Sequence, residues 1–156
     1  MGIGKSTPVP GWLNWELWQG PAPRVSYKDN VVHYDWHWVW HWGTGEALNN
    51  GMHFVDLLRW GMQLGYPSKV TSTGGRYHHQ DDWETPDTQL VNFSFVNGKT
   101  MTWESQSCIR SSISGHGSGV TFYGDKGSLT IGGGNEYQVF DLDNKLVKHV
   151  DSKLVF

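Results

Sequence analysis

The sequence predicts an α+β domain, with a mostly antiparallel open sheet and one main helix packed on one of its faces. Three observations support this class. One segment has the period of an amphipathic helix, most of the later chain alternates between short strand-like runs and turn residues, and glycine is abundant, with 20 in 156 residues. A chain of this length suffices for one domain with its own hydrophobic core.

The main helix is predicted from Glu46 to about Gln63, because apolar residues recur there with the helical period. Thr44, in the preceding Gly-Thr-Gly turn, is expected to cap the first amide groups of this helix. Gly65 and Pro67 are expected to end it.

Short strands are predicted after the helix, separated by turn residues. Asn97-Gly98 is typical of a tight hairpin, and Gly132-Gly133-Gly134 falls between two strands, so it indicates a hairpin turn rather than a phosphate-binding loop. The predicted strands are 70–73, 89–96, 99–105, 119–123, 128–131, 137–141 and 146–149.

Residues 1–25 are predicted to form an extended lead-in rich in proline and tryptophan, and residues 26–156 the substrate-binding α+β domain. Within the lead-in, Trp12, Trp15 and Trp18 are spaced by three. This spacing predicts one short helical turn that lays aromatic rings on the core.

The stretch "HYDWHWVWHW" at residues 33–42 holds four tryptophans and three histidines. At a spacing of two, one face holds His33, Asp35, His37, Val39 and His41, and the other holds Tyr34, Trp36, Trp38, Trp40 and Trp42. At a spacing of four, the histidines also align on a helix. Because tryptophan, tyrosine and valine favour strands, we predict a strand at about 32–41. Its aromatic face should be buried, and its polar face should line a cleft.

Charge and hydropathy argue against two classes of partner. The net charge of −3 offers no broad basic surface for nucleic acid, and no apolar run approaches the ~20 residues that cross a bilayer. The one cysteine, Cys108, excludes an internal disulfide. It has no evident basic partner that would make it a nucleophile, so we expect a small buried residue.

One side of the predicted helix carries a polar stripe, in which Asn49 and His53 lie four residues apart and Asp56 and Trp60 continue the same side. Gly51 costs about 1 kcal/mol relative to alanine in mid-helix, and its missing side chain leaves room for another backbone or a ligand. The alternative interpretation is a surface helix with one histidine and a glycine explained by packing.

The segment "GTGEALNNGMHFVDLLRW" at 43–60 resembles the signature helix of the Gfo/Idh/MocA oxidoreductases, the family of glucose–fructose oxidoreductase and inositol dehydrogenase. The shared pattern is a glycine-rich turn, an acidic residue and then Gly-x-His-x-x-Asp, here Gly51, His53 and Asp56. The resemblance covers nearly the whole chain. Four other segments also resemble this family: "LWQGPAP" at 17–23, "GGRY" at 74–77, "ETPDT" at 84–88 and "FYGDKGSLTI" at 122–131.

The resemblance implies a full protein of two domains. An N-terminal Rossmann domain binds NAD or NADP and carries a catalytic lysine in a Glu-Lys-Pro motif, while a C-terminal α+β domain binds a sugar, sugar derivative or cyclitol and forms a homo-oligomer through its sheet. This sequence matches only the second domain, since it holds neither Gly-x-Gly-x-x-Gly nor Glu-Lys-Pro. We therefore expect a substrate-binding fragment that is inactive alone, binds no cofactor by itself and works with a Rossmann domain in cis.

The resemblance also implies that His53 faces the nicotinamide and the substrate and exchanges the hydroxyl proton during hydride transfer, to which an imidazole is suited near neutral pH. The family often has an aspartate one turn before this histidine, where this chain has Asn49. An amide cannot relay a proton, so Glu46, Asp35 and His41 are the candidates for that role. The predicted substrate-binding residues are Asn49, His37, His41, Glu46, Asp35 and Trp83.

Two segments leave alternatives open. The histidines and aspartate of the 33–42 stretch, with the loop 78–82, offer nitrogen and oxygen ligands for a metal ion, but ligands on one flat strand do not converge without a partner element. The loop "RYHHQDDWETPDT" at 76–88 is either simply solvated or a lid or rim for the substrate, with Asp81, Asp82 and Trp83 as the residues to test.

Two other functions stay open for the sequence. One is an NAD-dependent glycosidase on the same scaffold, which oxidises its substrate transiently, eliminates and then reduces. The other is a non-catalytic carbohydrate-binding or assembly module, which the excess of tryptophan favours. Net formation of NADH, glycoside cleavage without net redox change, and sugar binding without cofactor dependence would distinguish the three.

Overall fold

The computed structural model describes residues 1–109 and 115–151. The chain divides into two compact units. The first comprises Met1–Met52, Thr71–Asn92 and Thr102–Cys108, and the second comprises His53–Val70, Phe93–Met101 and Ile109–Phe156.

The elements confirm the α+β class. The helices are α1 (Trp15–Trp18), a 3₁₀ helix (Asp35–Trp38), α2 (Glu46–Asn49) and α3 (Gly51–Met62). The strands are β1 (Lys69–Gly75), β2 (Thr88–Ser94), β3 (Thr100–Gln106), β4 (Gly119–Gly124), β5 (Gly127–Gly132), β6 (Glu136–Phe140) and β7 (Leu146–Asp151). No helix in the described ranges is long and apolar enough to cross a membrane.

The strands form two antiparallel sheets, one of order β1-β2-β3 and one of order β4-β5-β6-β7. All seven strands predicted after the helix are confirmed, with ends that differ by at most two residues. The Asn97-Gly98 turn joins β2 to β3, and the φ of Gly98 is +78°, a conformation that favours glycine. Turn residues therefore located this part of the fold correctly.

The main helix is confirmed in position but runs in two pieces, α2 and α3, on either side of Asn50. The prediction that Thr44 caps it is wrong. Gly45 is the N-cap residue, with a φ of +76° and no side-chain cap. The Gly45 carbonyl accepts a hydrogen bond from the N–H of Asn49 at 3.0 Å, and its own N–H donates to the carbonyl of His37 at 2.9 Å. Backbone conformation, rather than a hydroxyl, fixes this helix start.

The second unit has an apolar core between α3 and the strands. Leu58 of α3 is buried with Phe95 and Met101 near the β2–β3 turn and with Val120 of β4. A Cβ at Gly61 would lie 2.7 Å from the ring of Phe122, so glycine lets the helix approach β4 closely. This packing buries one face of the main helix against strands, as the sequence predicts.

The segment predicted as a strand at 32–41 is not a strand. Residues Asp35–Trp38 form a 3₁₀ helix, in which the N–H of His37 donates to the carbonyl of Tyr34 at 3.3 Å. Because the backbone turns, alternate side chains do not share faces. The predicted polar face that would line a cleft is therefore not formed.

The aromatic rings of the first unit explain this difference. Trp42 packs edge-on against Trp15 and Trp18, which stack with centroids 4.9 Å apart. Trp38 stacks instead on Trp83, at 4.2 Å and with the ring planes 4° apart. Trp38 and Trp42 thus pack against rings from different parts of the first unit. This tertiary packing outweighs the preference of the segment's residues for a strand.

The helical turn predicted in the lead-in is confirmed as α1. The Asn14 side chain accepts the N–H of Leu17 at 3.0 Å and caps this turn. Trp15 is buried, whereas Trp12 is 64% exposed and stacks on His33. Only part of the predicted tryptophan patch therefore belongs to the core.

Gly51 is explained by packing within the first unit. A Cβ at Gly51 would lie 2.8 Å from Cε2 and 3.0 Å from Cζ2 of Trp103, whose ring is buried on β3. The space beside this glycine is occupied by an indole. The structure thus supports the packing interpretation of Gly51 over a ligand beside it.

Replacing Gly51 by alanine should destabilise the protein by about 1–3 kcal/mol, because a buried indole cannot yield without strain. This cost outweighs the gain in helix propensity of about 1 kcal/mol. Urea denaturation followed by circular dichroism measures it. Gly65→Ala is the matched control, because no atom lies within 4 Å of its added Cβ. A midpoint for Gly51→Ala equal to or above that of the unmodified protein would contradict the packing account.

Candidate functional site

Polar side chains meet at the start of α2, within the first unit. The Asn49 amide nitrogen Nδ2 donates to Tyr34 Oη at 3.1 Å and to Glu46 Oε2 at 3.4 Å. The Asn50 amide donates to the other oxygen of Glu46. With His37, described next, these residues are called the Asn49 cluster. The cluster includes three of the predicted substrate-binding residues: His37, Glu46 and Asn49.

His37 is held against the cluster by its own ring. Its Nδ1 lies 2.5 Å from the carbonyl oxygen of Tyr34, and the ring stacks on Trp36 with centroids 3.8 Å apart. Since a carbonyl only accepts hydrogen bonds, Nδ1 carries the proton in the neutral imidazole. Nε2 is then an acceptor for a hydroxyl group.

The carboxylate of Glu46 fixes the orientation of Asn49. An ionised carboxylate only accepts hydrogen bonds, so the NH₂ group of Asn49, rather than its oxygen, must face Glu46. The oxygen Oδ1 is left as an acceptor. Tyr34 Oη accepts from Asn49, so its own hydroxyl proton is left to donate. Within residues 1–109 and 115–151, neither Oδ1 nor this proton has another partner.

His41 and Asp35 have no contact with the cluster among the described hydrogen bonds. His41 Nε2 bonds to the carbonyl oxygen of Pro23 at 2.7 Å, and Asp35 begins the 3₁₀ helix. In the part of the chain that the structure describes, no group of three or more His, Cys, Asp or Glu side chains could hold a metal ion. The 3₁₀ turn thus does not assemble the ligands that the metal interpretation requires.

His53 lies on α3 in the second unit and is exposed. Its ring makes no hydrogen bond within the described residues. Asp56 and Trp60 continue the polar stripe and are also exposed, and they border a surface groove of about 740 Å³ together with Arg59. An exposed imidazole is open to proton exchange with a bound molecule, so the assigned role of His53 stays a prediction.

Two aspartates bind the loop after β1 to the lead-in. Asp81 Oδ2 accepts the N–H of Gly2 at 3.1 Å, and Asp82 Oδ2 accepts that of Gly4 at 2.9 Å. Burial raises the pKa of Asp81, but hydrogen bonds, including those from the N–H groups of Gly2 and Trp83, outweigh it and lower the pKa. The loop is therefore anchored, rather than simply solvated.

The side chain of Asp87, at the end of the same loop, is fully buried. It accepts the N–H groups of Tyr77 at 3.1 Å and His78 at 3.3 Å, and it lies 3.5 Å from Arg76 Nη1. Burial raises the pKa of Asp87, but its hydrogen bonds outweigh this effect and hold the pKa below its usual range. The half-buried Cys108 has its pKa raised, first by burial and then by the Asp87 carboxylate, which disfavours a nucleophilic thiolate.

Trp83, a predicted substrate-binding residue, is engaged in packing. Its ring stacks on Trp38, and the guanidinium of Arg76 lies 5.5 Å from its centroid. Glu84 continues this attachment, since its N–H donates to the Trp38 carbonyl at 2.9 Å. Trp83 thus fixes the loop beside the 3₁₀ helix, and its contact with a substrate stays a prediction.

Sequence reasoning missed Tyr34 and Asn50 as members of the cluster. The spacing of four between Glu46 and Asn50 is a helical pair that the sequence does offer. No comparable spacing in the sequence indicates that Tyr34 belongs to the cluster. The strand prediction assigns it to a buried aromatic face, whereas the 3₁₀ turn leaves it 57% exposed and bonded to Asn49.

These observations define an α+β domain of antiparallel strands with a polar cluster at the start of its main helix. The family model described as the GFO/IDH/MocA C-terminal domain matches residues 18–130. The chain belongs to this family, which confirms the resemblance in its motifs. Such a C-terminal domain is joined in the family to an N-terminal domain, typically in NAD(P)-dependent oxidoreductases. A search of curated proteins finds no match to this chain.

Replacing Asp87 by asparagine should destabilise the protein by about 3 kcal/mol, because a buried acceptor of several hydrogen bonds is lost beside Arg76. Since the folded-state pKa of Asp87 is lowered, its contribution is complete above about pH 4 and is lost as the pH falls through the folded-state value. Urea denaturation at a series of pH values measures both effects.

The exposed Asp125, in the β4–β5 turn, is the control, and Asp125→Asn should change stability by less than about 0.5 kcal/mol. A stability of Asp87→Asn that falls as steeply with acid as that of the unmodified protein would show that Asp87 has no part in its acid sensitivity.

Proposed function

We propose that this chain is the substrate-binding domain of an NAD(P)-dependent oxidoreductase that acts on a sugar, sugar derivative or cyclitol. Family membership supports the reaction class. The observation that carries the proposal for this chain is the Asn49 cluster, which presents donors and acceptors at the start of the signature helix. Such groups suit the hydroxyls of a polyol.

The dinucleotide is assigned to an N-terminal domain in cis. The described residues offer no glycine-rich turn between a strand and a helix, since Gly132-Gly133-Gly134 joins two strands, so they do not fit a dinucleotide. When bound in the other domain, the nicotinamide would take part in hydride transfer. This chain would bind the substrate and handle its hydroxyl proton.

His53 is proposed as the general acid/base, as the family motif implies. Imidazole exchanges protons near neutral pH, and the exposed position of His53 on α3 leaves its ring open to a substrate. Its partner cannot be an aspartate at position 49, because this chain has Asn49.

Glu46 is proposed to supply the carboxylate that the family often has one turn before the histidine. Among the described residues, Glu46 is the one of the three candidates that bonds to Asn49, whereas His41 bonds to the carbonyl of Pro23. The carboxylate would then lie at position 46, three residues before the position at which the family often has it. Asn49 would act by orientation and hydrogen bonding rather than as a proton relay.

The oligomer is also proposed rather than shown. Exposed apolar side chains lie on and beside the four-stranded sheet, including Tyr123, Leu146 and Val147. A second copy could cover them in a symmetric interface. The family resemblance assigns assembly to the open sheet of the domain.

The proposed function is tested on the natural protein that carries this domain with its N-terminal domain. His53→Ala should lower kcat for polyol oxidation by about 10²–10⁴-fold, because the proton acceptor is lost. Formation of reduced nicotinamide, followed by absorbance with NAD and with NADP, measures the rate. His79→Ala, an exposed histidine in the loop after β1, is the control and should retain full activity.

Three outcomes separate the functions. Reduced nicotinamide formed by the unmodified protein and lost in His53→Ala supports the dehydrogenase. Cleavage of a glycoside without net reduction would replace it by the NAD-dependent glycosidase, for which the departure at Asn49 is the favouring observation. Sugar binding that is independent of cofactor, with neither reaction, would leave a carbohydrate-binding module.

Asn49→Asp should lower kcat/KM about tenfold or more, although it restores the residue usual in the family. The new carboxylate would face Glu46 at the 3.4 Å contact, replacing a hydrogen bond to a charged group by repulsion. The double variant Asn49→Asp with Glu46→Gln should recover most of this loss, because a glutamine can donate to the new aspartate. Steady-state kinetics of the single and double variants measure the effect.

Glu46→Gln alone is the reference for the double variant. Activity of Asn49→Asp equal to or above that of the unmodified protein would show that Glu46 does not take the place of the family's aspartate.

A further inference from the structure

We propose that Tyr34 is a substrate-binding residue, and that Tyr34 and Asn49 together bind a vicinal diol of a substrate that carries no negative charge there. The inference rests on the proposed function and names the part of the substrate that the Asn49 cluster recognises. It is carried by the hydrogen bond between Asn49 Nδ2 and Tyr34 Oη at 3.1 Å.

The first step is the direction of this hydrogen bond. The Glu46 carboxylate forces the NH₂ group of Asn49 toward itself and toward Tyr34, so Tyr34 Oη is the acceptor. The phenolic O–H of Tyr34 is then directed away from Asn49. The two residues present a donor, the O–H of Tyr34, beside an acceptor, Oδ1 of Asn49.

The second step is the position of the phenol. The ring of Tyr34 lies 4.6 Å from that of His37 and 6.1 Å from that of the buried Trp38, centroid to centroid. These contacts hold the ring, while more than half of the residue is exposed. The hydroxyl is therefore fixed in place and yet reachable by a ligand, which lowers the entropy cost of binding.

The third step is the chemistry that fits this pair. A hydroxyl group both donates and accepts, so one hydroxyl of a vicinal diol can accept from Tyr34 while its neighbour donates to Asn49. A ketone or a carboxylate cannot donate to Asn49 Oδ1. The Glu46 carboxylate next to Asn49 would also repel a carboxylate or phosphate on the substrate. The pair therefore selects a neutral polyol face over an acidic one.

The test removes the hydroxyl group of Tyr34 from the protein and, separately, single hydroxyl groups from the sugar. Isothermal titration calorimetry of the natural protein saturated with NADH, with which a polyol is not oxidised, measures its affinity for D-glucose, myo-inositol, D-glucuronate and the monodeoxy analogues of glucose. Tyr34→Phe removes one neutral hydrogen bond and should weaken binding of the preferred polyol about fivefold. Tyr66→Phe, at a tyrosine of the second unit that is 91% exposed, is the matched control and should bind as the unmodified protein does.

The diagnostic result is a loss of affinity in Tyr34→Phe that depends on one hydroxyl group of the sugar. For the analogue that lacks the hydroxyl facing Tyr34, Tyr34→Phe and the unmodified protein should bind equally, because the contact is already absent. D-glucuronate should bind more weakly than D-glucose to the unmodified protein. An equal fivefold loss for every analogue would show that Tyr34 acts only through the fold and would overturn the inference, as would unchanged binding by Tyr34→Phe.

The same experiment separates this inference from the proposed function. If the unmodified protein binds polyols and Tyr34→Phe binds them equally, Tyr34 is not a binding residue and the sugar-binding function stands. If the unmodified protein binds no member of the panel, the proposed function fails, and the inference that rests on it fails too.

Discussion

Carboxylates that accept hydrogen bonds hold the first unit together. Much of this unit is loop, so many of its backbone N–H groups need partners other than helix and sheet carbonyls. Asp81 and Asp82 bind N–H groups of the lead-in, and Asp87 binds those that follow β1. A charged acceptor strengthens each bond, and the lowered pKa of all three aspartates reflects the same preference for the ionised form. Long loops thereby obtain fixed positions.

A carboxylate that only accepts hydrogen bonds also sets the orientation of the polar groups in the candidate site. Glu46 has amide groups on both of its oxygens, from Asn49 and Asn50, and because a carboxylate cannot donate, it decides which way Asn49 faces. Because Asn49 then donates to Tyr34 Oη, the phenol accepts this hydrogen bond and keeps its own proton to donate. A single acidic side chain on the first turn of α2 therefore sets the pattern of donors and acceptors that a ligand would meet, and it sets the sign of the local charge.

The parts of the fold that could be predicted are those governed by local rules. The helical period located α2 and α3, and turn residues such as Asn97-Gly98 located the strands, because both depend on neighbours in sequence. The segment 33–42 could not be predicted in this way. Its composition favours a strand, but its rings pack on Trp15 and Trp83, which lie far along the chain, and this tertiary packing decides its conformation.

The residues of the candidate site were predictable in part. The family motif indicated Asn49 and His53, which lie on α2 and α3, and their roles stay predictions. The choice of Glu46 over Asp35 and His41 needed hydrogen bonds that only the structure provides. Tyr34 escaped detection because its contact with Asn49 follows from the 3₁₀ turn, which the alternation of the sequence conceals.

The most direct test of this account is a crystal structure of the natural protein with its polyol substrate and dinucleotide bound. The account predicts one substrate hydroxyl within hydrogen-bond distance of Tyr34 Oη and the neighbouring hydroxyl within that distance of Asn49 Oδ1. Glu46 should remain on the NH₂ side of Asn49. A substrate that binds elsewhere and leaves Tyr34 and Asn49 in contact only with each other would contradict the assignment of the Asn49 cluster as the substrate site.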